Sequence, residues 1–369
     1  MRLLLFAVFL LTVAATQAQI HFKKVLIAAE SFESAAVFDV NKDGHPDIIS
    51  GAFWYEGPGF VKRHYIGAVA RHGEFYDDFS TIPLDVNGDG FTDFITGGWW
   101  GNTVRWRENP GTAKKEWTEH IIGECGNVET TRAWDIDGDG IEEVVPNNPG
   151  KPLLCFKLNK STGQFTKHQV ADKQGHGIGF GDINGDGRGD LIISEGWLEA
   201  PNNPWKEKWQ LHKEFQLGET GIPIIVADIN GDGRNDMIVG QGHDYGLHWY
   251  EQKSEGGKRI WTKHAIDPFN SQYHTLMWED IDGDHKPELI TGKRYRAHND
   301  NDPGSADPYG LYYFKWNGES FTKQIICYGV FGVGKGTGNY FAIADLRKTG
   351  RKDIVVAGKD GLFVFFNEL

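Results

Sequence analysis

Cysteine is nearly absent: Cys125, Cys155 and Cys327 are the only three in 369 residues. An odd count allows at most one disulfide, and the spacing forms no zinc-binding pattern. Neither a disulfide framework nor a structural zinc site therefore organises the chain, and all three are read as semi-buried thiols. No cluster of lysine and arginine is present, which argues against a nucleic-acid surface. Beyond residue 18 no apolar run is long enough to span a membrane. Residues 1–18 themselves carry Arg2, an apolar stretch from Leu3 to Val13 and the small-residue site Thr16-Gln17-Ala18, the pattern of a signal peptide. No cysteine follows that site, so no lipid anchor is expected. The mature chain, residues 19–369, is expected to be secreted or periplasmic.

Acid and glycine are plentiful. Asp and Glu number 51 against 38 Lys and Arg, giving a formal charge of −13, and there are 48 glycines. Much of that acid lies in one recurring motif. It reads Asp39-Val-Asn41-Lys-Asp43-Gly, Asp85-Val-Asn87-Gly-Asp89-Gly, Asp135-Ile-Asp137-Gly-Asp139-Gly, Asp182-Ile-Asn184-Gly-Asp186-Gly, Asp228-Ile-Asn230-Gly-Asp232-Gly and Asp280-Ile-Asp282-Gly-Asp284-His. Each copy is closed three residues after its end by Asp47, Asp93, Glu143, Asp190, Asp236 or Glu288. A seventh copy, Asp345-Leu-Arg347-Lys-Thr349-Gly, keeps the frame and loses the carboxylates.

A small, apolar run precedes each motif and a β-branched run follows it. An aromatic segment and then a Trp/Phe-Thr-x-His/Gln segment complete the unit. Four short strands, A to D, are thus predicted per unit, with the acidic loop between A and B. Units of this kind bury their faces only by stacking around an axis, so the fold class predicted is an all-β, seven-bladed propeller in a single domain. The last unit stops after strand C. The segment His21–Ile27 is predicted to supply the missing strand, closing the ring and covering an open edge.

Oxygens at loop positions 1, 3, 5 and 9 can converge on a hard cation, and Gly at position 6 allows the sharp turn. Calcium is therefore expected in up to six A–B loops, where about +12 of bound charge would nearly cancel the −13 of the chain. In the seventh loop Arg347 can stand in for the cation. The bland alternative is a set of Asp/Gly turns held by their own hydrogen bonds.

With acidic loops on one face, the D–A and B–C loops open on the other. The residue six before each leading Asp then begins strand A beside the central axis: Glu33, Phe79, Glu129, His176, Ile222, His274 and Asn339. Converging acids and imidazoles can bind a further divalent metal (Zn2+, Mg2+ or Mn2+) or act as general acid and base. A solvated polar channel mouth is the alternative. The histidines sort accordingly. His120, His168, His212 and His264 share one slot in strand D and read as framework, and His45 and His285 sit inside acidic loops. His72, His176, His243, His274 and His298 all fall on the open face. Aromatic and polar groups that suit sugars are expected there too: Trp54, Trp99, Trp100, Glu195, Trp197, His243 and Asp244. Long loops at Glu195–Trp205 and Lys293–Pro303 are read as B–C loops.

The repeats resemble those of FG-GAP/VCBS propellers, a resemblance that covers residues 21–369 and implies the fold. A narrower one is carried by His176-Gly-Ile-Gly-Phe-Gly-Asp182 with Glu195-Gly-Trp197, and by His274-Thr-Leu with Thr291-Gly-Lys-Arg-Tyr-Arg-Ala-His298. These segments are similar to the propeller part of aldos-2-ulose dehydratase and related secreted bacterial proteins. That resemblance implies metal-assisted elimination on keto-sugars. Nothing in the chain matches the fungal enzyme's second propeller or cupin segment, so the isomerase step that needs them is not implied.

The leading expectation is a secreted carbon–oxygen lyase on a keto-sugar or keto-glycoside. His176 and His274 would be metal ligands or base, and Glu33 and Glu129 further ligands. Lys293, Arg294, Tyr295 and His298 would position substrate or stabilise an enolate, with Asn339 in the substrate-binding mouth. A non-catalytic glycan- or protein-binding propeller and a glycoside hydrolase with paired carboxylates remain open. A monomer is expected.

Overall fold

The computed structural model describes residues 19–368, so the segment expected to be a signal peptide, residues 1–18, lies outside the described residues. The described chain is almost wholly β, with one 3-10 turn at Ala297–Asp300. Seven four-stranded antiparallel sheets follow one another, each pairing strands in the order A-B-C-D. Blade 1 is Ala36–Phe38, Asp47–Ser50, Phe53–Tyr55 and Arg63–Tyr65. Blade 2 is Ile82–Leu84, Asp93–Gly97, Thr103–Glu108 and Thr118–Glu124. Blade 3 is Thr130–Trp134, Glu143–Asn147, Leu153–Asn159 and Gln164–Ala171. Blade 4 is Ile178–Gly181, Asp190–Ile193, Gly196–Glu199 and Gln210–His212. Blade 5 is Ile225–Ala227, Asp236–Gly240, Tyr245–Glu255 and Lys258–Ser271. Blade 6 is Tyr273–Glu279, Glu288–Lys293, Tyr309–Trp316 and Phe321–Gly329. Blade 7 is Ala342–Ala344, Asp353–Val356 and Leu362–Asn367, and its outer strand is Phe22–Ala28, antiparallel to Leu362–Asn367.

The core is divided like the sheets. Apolar clusters fill the spaces between neighbouring blades, from Ile49 and Trp54 against Phe94 at blades 1 and 2 to Val355 and Val364 against Ala35 and Ile48 at blades 7 and 1. No blade carries a core of its own, which is why the unit must repeat.

The last acidic position of each loop is a staple. Asp47 is fully buried. Its two oxygens accept the N–H groups of Val40 at 2.8 Å and Gly57 at 2.7 Å, tying the A–B loop to the end of strand C. Asp93 does the same for Val86 and Asn109, and Asp190 for Ile183 and Ala200. Burial pushes the Asp47, Asp93, Asp190 and Asp236 carboxyls up to about 6.

The strand-D histidines are framework, as their spacing suggests. His64, His120, His212 and His264 stack on Trp54, Trp106, Trp197 and Trp249 across the strand pair, with ring centroids 4.1–4.5 Å apart. Each His Nε2 also bonds the Glu two residues beyond that Trp: Glu56, Glu108, Glu199 or Glu251, at 2.7–2.9 Å. Blades 3 and 6 depart from this. Their strand-C residue at the Glu position is Lys157 or Lys315, and its ammonium turns into the acidic loop. Lys157 lies 2.7 Å from Asp137, 2.6 Å from Asp139 and 2.9 Å from Glu143. In the seventh loop Arg347 pairs with Asp353 at 3.0 Å.

Two placements correct the reading of the sequence. Trp54 and Trp197 lie within strand C, each 2 % exposed and sandwiched against a strand-D histidine, not in open-face loops. The long segment 200–209 connects strands C and D of blade 4, on the acidic-loop face, where Trp205 Nε1 donates to Asp137. Strand C of blade 4 has only four residues, so the chain has already crossed the sheet before the loop begins. All three cysteines are free. Among the described residues no helix is long and apolar enough to cross a membrane.

Candidate functional site

Of the residues six before each loop, Phe79, Glu129 and His176 border cavities beside the axis, and local backbone devices place His176 and His274. In blade 6 the A–B register slips between Tyr273 and Leu276, and this bulge turns His274 inward. In blade 4 His176 precedes Gly177, whose φ is +108°; a Cβ there would lie 1.6 Å from Thr220 Oγ1. Only glycine lets the chain pass so close. Below the mouth, Arg132 crosses the channel and donates to Thr131 O at 3.1 Å, Ile222 O at 2.5 Å and Thr275 Oγ1 at 3.2 Å. The centre is therefore reached from the open face.

Four buried side chains converge: Glu129, His176, His243 and His274, with one donor atom of each within 4.8 Å of all the others. His243 Nε2 lies 3.0 Å from His176 Nε2. Glu129 Oε1 lies 3.0 Å from His274 Nε2 and 3.7 Å from His176 Nε2. The outer nitrogens fix the tautomers. His176 Nδ1–H donates to Thr220 O at 2.8 Å, and His243 Nδ1–H donates to Asp302 Oδ2 at 2.9 Å. With both rings neutral the two Nε2 lone pairs face one another, an arrangement that a cation between them would satisfy, as would a proton shared by the two rings. Burial, then neighbouring charge, pushes His243 down to about 4 and His274 well below its ordinary value, so both rings stay neutral.

His274 carries the same message. Its Nδ1 is buried and has no partner. Its Nε2 faces both the Glu129 carboxylate and Arg294 Nη1–H, the latter at 3.2 Å, so no tautomer satisfies every contact. A tetrahedral ion with bonds of ~2.1 Å separates its donors by roughly 3.4 Å. The observed separations of 3.0 and 3.7 Å bracket that value. Three imidazoles and a carboxylate fit a divalent transition metal better than calcium, which takes oxygen.

Arg294 closes the inner side. It donates to Glu129 Oε1 at 3.2 Å and, through Nε, to Glu33 Oε1 at 3.2 Å. Glu33 is thus the counter-ion of Arg294 and stands outside the four-donor group. His298 stacks on His243 at 4.2 Å, and its Nδ1–H donates to Asp302 Oδ1 at 2.9 Å. The backbone here is held in the left-handed region at Arg296, His298, Asn299 and Asp300, the kind of strain that collects at functional sites.

Trp99, Trp100 and Glu195 border cavities beside the centre. Asn339 is buried at the channel with neither side-chain polar atom partnered. Lys293 and Tyr295 lie elsewhere. Lys293 Nζ donates to Gly304 O and Asp307 O, pinning the blade 6 loop, and Tyr295 packs on Tyr309 and Phe331. Asp244 is exposed; its carboxylate accepts the Tyr245 N–H and its backbone carbonyl the Gln272 N–H. Asp302, which orients two histidines at once, was not singled out by the sequence: it falls outside the repeat frame, and only its neighbourhood to His298 hints at it.

The fold and its mouth define a seven-bladed propeller with a polar centre on the axis. The FG-GAP-like repeat matches residues 85–146, 135–193 and 215–291, about half of the chain, and the protein belongs to that family. No curated protein matches it in sequence. Among solved structures it is similar to BBS1N in complex with ARL6DN (TM-score 0.54, 10% identity, 95% of this chain and 97% of that one). Saccharomyces cerevisiae Sqt1 is comparable (0.52, 11%, 95% and 99%). Rhamnogalacturonan lyase YesW also aligns (0.49, 13%, 95% and 75%). At these identities the likeness is one of fold alone.

Proposed function

We propose that this protein is a metal-dependent carbon–oxygen lyase acting on a keto-sugar or keto-glycoside at the open face. The observation that carries the reading is the meeting of two Nε2 lone pairs 3.0 Å apart, beside a carboxylate and a third imidazole. Glu129, His176, His243 and His274 would hold the metal, which when bound supplies Lewis acidity toward a ketone oxygen. His298 is the base. Its hydrogen bond to Asp302 leaves Nε2 free toward the cavities and stabilises the ring once protonated. The α C–H bond breaks, its electron pair forms the new C=C bond, and the β C–O bond breaks. His298 then returns its proton to the departing oxygen, so atoms and charge balance without water or a redox partner. Trp99 and Trp100 offer faces for the substrate.

The test is the ultraviolet absorbance of the conjugated enone formed from methyl 3-keto-β-glucoside. Wild-type protein should generate it. His298→Ala should slow it by ~10²–10⁴-fold with metal content unchanged. A released sugar without enone absorbance would point to hydrolysis, and no reaction with any keto-sugar would contradict the reading.

Calcium in the outer loops is a second part of the proposal. In blades 1, 2, 4 and 5 the donors are all oxygens, Asp-x-Asn-x-Asp with a buried Asp, and suit Ca2+. In blades 3 and 6 calcium must displace the ammonium of Lys157 or Lys315. Asp135 Oδ1 and Asp137 Oδ1 keep no partner, so the blade 3 loop is not saturated by its lysine. Calcium titration should resolve a tighter class of four sites from a weaker or silent pair.

A further inference from the structure

We infer that the substrate is a neutral glycoside whose sugar and whose planar apolar substituent occupy separate cavities on the two sides of the histidine cluster. The inference rests on the keto-glycoside reading and adds the shape of the molecule to it. The smaller cavity, about 220 Å3, is walled by Phe75, Phe79, Trp99 and Trp100. Trp100 is held rigidly there. His72 stacks on it at 4.6 Å, Phe75 and Phe79 meet it at 5.5 and 6.0 Å, and its backbone N–H donates to Asp77 Oδ1 at 2.8 Å. The polar groups of this cavity are Glu129, Arg294, His298 and Asn299. The first two are already engaged with each other, so a pyranose in this cavity would leave most of its hydroxyls against aromatic carbon. Burying a hydroxyl without a partner is unfavourable, whereas a flat apolar group loses nothing there.

The larger cavity, about 450 Å3, has the opposite character. Lys173, Ser194, Glu195, Gln216 and Glu219 ring it, beside His176 and His243. These supply donors and acceptors for several hydroxyls, and the two carboxylates disfavour a uronate. Together the cavities lie within the ~300–1,000 Å3 usual for ligand sites. Trp99, Glu129 and His298 border both. The bond joining sugar to substituent must pass those residues, which is where His298 is placed to hand a proton to a departing oxygen. The substituent in the aromatic cavity is therefore the leaving group.

Two non-reacting probes test this on the metal-loaded protein by titration calorimetry: 4-nitrophenyl β-D-glucopyranoside and methyl β-D-glucopyranoside. The nitrophenyl glycoside should bind at least about tenfold more tightly, roughly 1.4 kcal/mol. Trp100→Ala should reduce that preference to less than about threefold by weakening the nitrophenyl glycoside, and Phe75→Ala should act in the same direction. Glu195→Gln should weaken both probes together. Equal affinities in the wild type, no binding of either probe, or a preference that survives both aromatic substitutions would overturn the inference. If the preference is found but no keto-glycoside yields an enone, the lyase reading fails and the two-cavity assignment stands.

Discussion

Asp302 sits between His243 and His298 and accepts from both, each at 2.9 Å. It is not one of the four donors and, in this reading, does not touch the substrate's reacting atoms; through its bond to His243 it positions one donor ring, and through its bond to His298 the other ring. Asp302→Asn should therefore weaken transition-metal affinity by ~10–100-fold, read by competition with a coloured chelator, with little change in melting temperature. Asp78 gives a different residue-scale prediction. Burial pushes its carboxyl up to about 8, and its Oδ1 has no partner. The fold favours the neutral form, so the stability this group contributes is full below the unfolded value near 3.8 and is lost as pH rises toward 8. Asp78→Asn should leave the melting temperature unchanged at pH 4 and raise it at pH 8.5. An equal effect at both pH values would contradict this.

At the same scale, the sequence made some of the site legible. Counting six residues back from each acidic loop finds Glu129, His176 and His274, because strand A runs straight from the channel mouth to the loop. It also finds Glu33, but not that Arg294 claims it, since that pairing joins residues far apart in the chain. His243 and Asp302 lie in B–C loops whose lengths vary from blade to blade. The repeat frame gives their face and not their partners.

Between strands, the blades fall into two kinds, and the correlation is within the sequence itself. Where loop position 3 is Asn (Asn41, Asn87, Asn184, Asn230), strand C carries Glu and strand D carries His. Where it is Asp (Asp137, Asp282), strand C carries Lys and the closing residue is Glu. Extra loop charge is thus matched by an internal cation. Lys157→Met leaves Asp137, Asp139 and Glu143 without it. Lys157 is 23% exposed, so the loss should be about 1–3 kcal/mol, below the 3–5 of a fully buried pair. Added calcium should raise the melting temperature of the variant more than that of the wild type. The strand-C and strand-D aromatics were harder to read: Trp54 and Trp197 look like exposed platforms until the cross-strand His is seen against them.

The whole molecule is a ring of interfaces in which each blade depends on two neighbours. Its seven-fold repeat was legible because every unit carries the same four segments. Phe22–Ala28 pairs along the edge of Leu362–Asn367, joining the two ends of the chain in one sheet. Deleting residues 19–28 would leave that edge open and the packing between blades 7 and 1 unsupported. The deleted protein should melt at lower temperature and associate with rising concentration in light scattering; a monomer of unchanged stability would contradict the dependence. The ring also explains why the centre is built as it is. Blades 3, 4, 5 and 6 each contribute one of its four donors, so only the closed fold brings Glu129, His176, His243 and His274 together.

The most direct test of the account is the metal content of the purified, calcium-exchanged protein, measured by inductively coupled plasma mass spectrometry after incubation with Zn2+ or Mn2+ and desalting. The account predicts one tightly held transition-metal ion per chain in the wild type and none in the His176→Ala, His243→Ala double variant, with calcium content equal in both. No retained transition metal in the wild type, or an ion retained in the double variant, would contradict it.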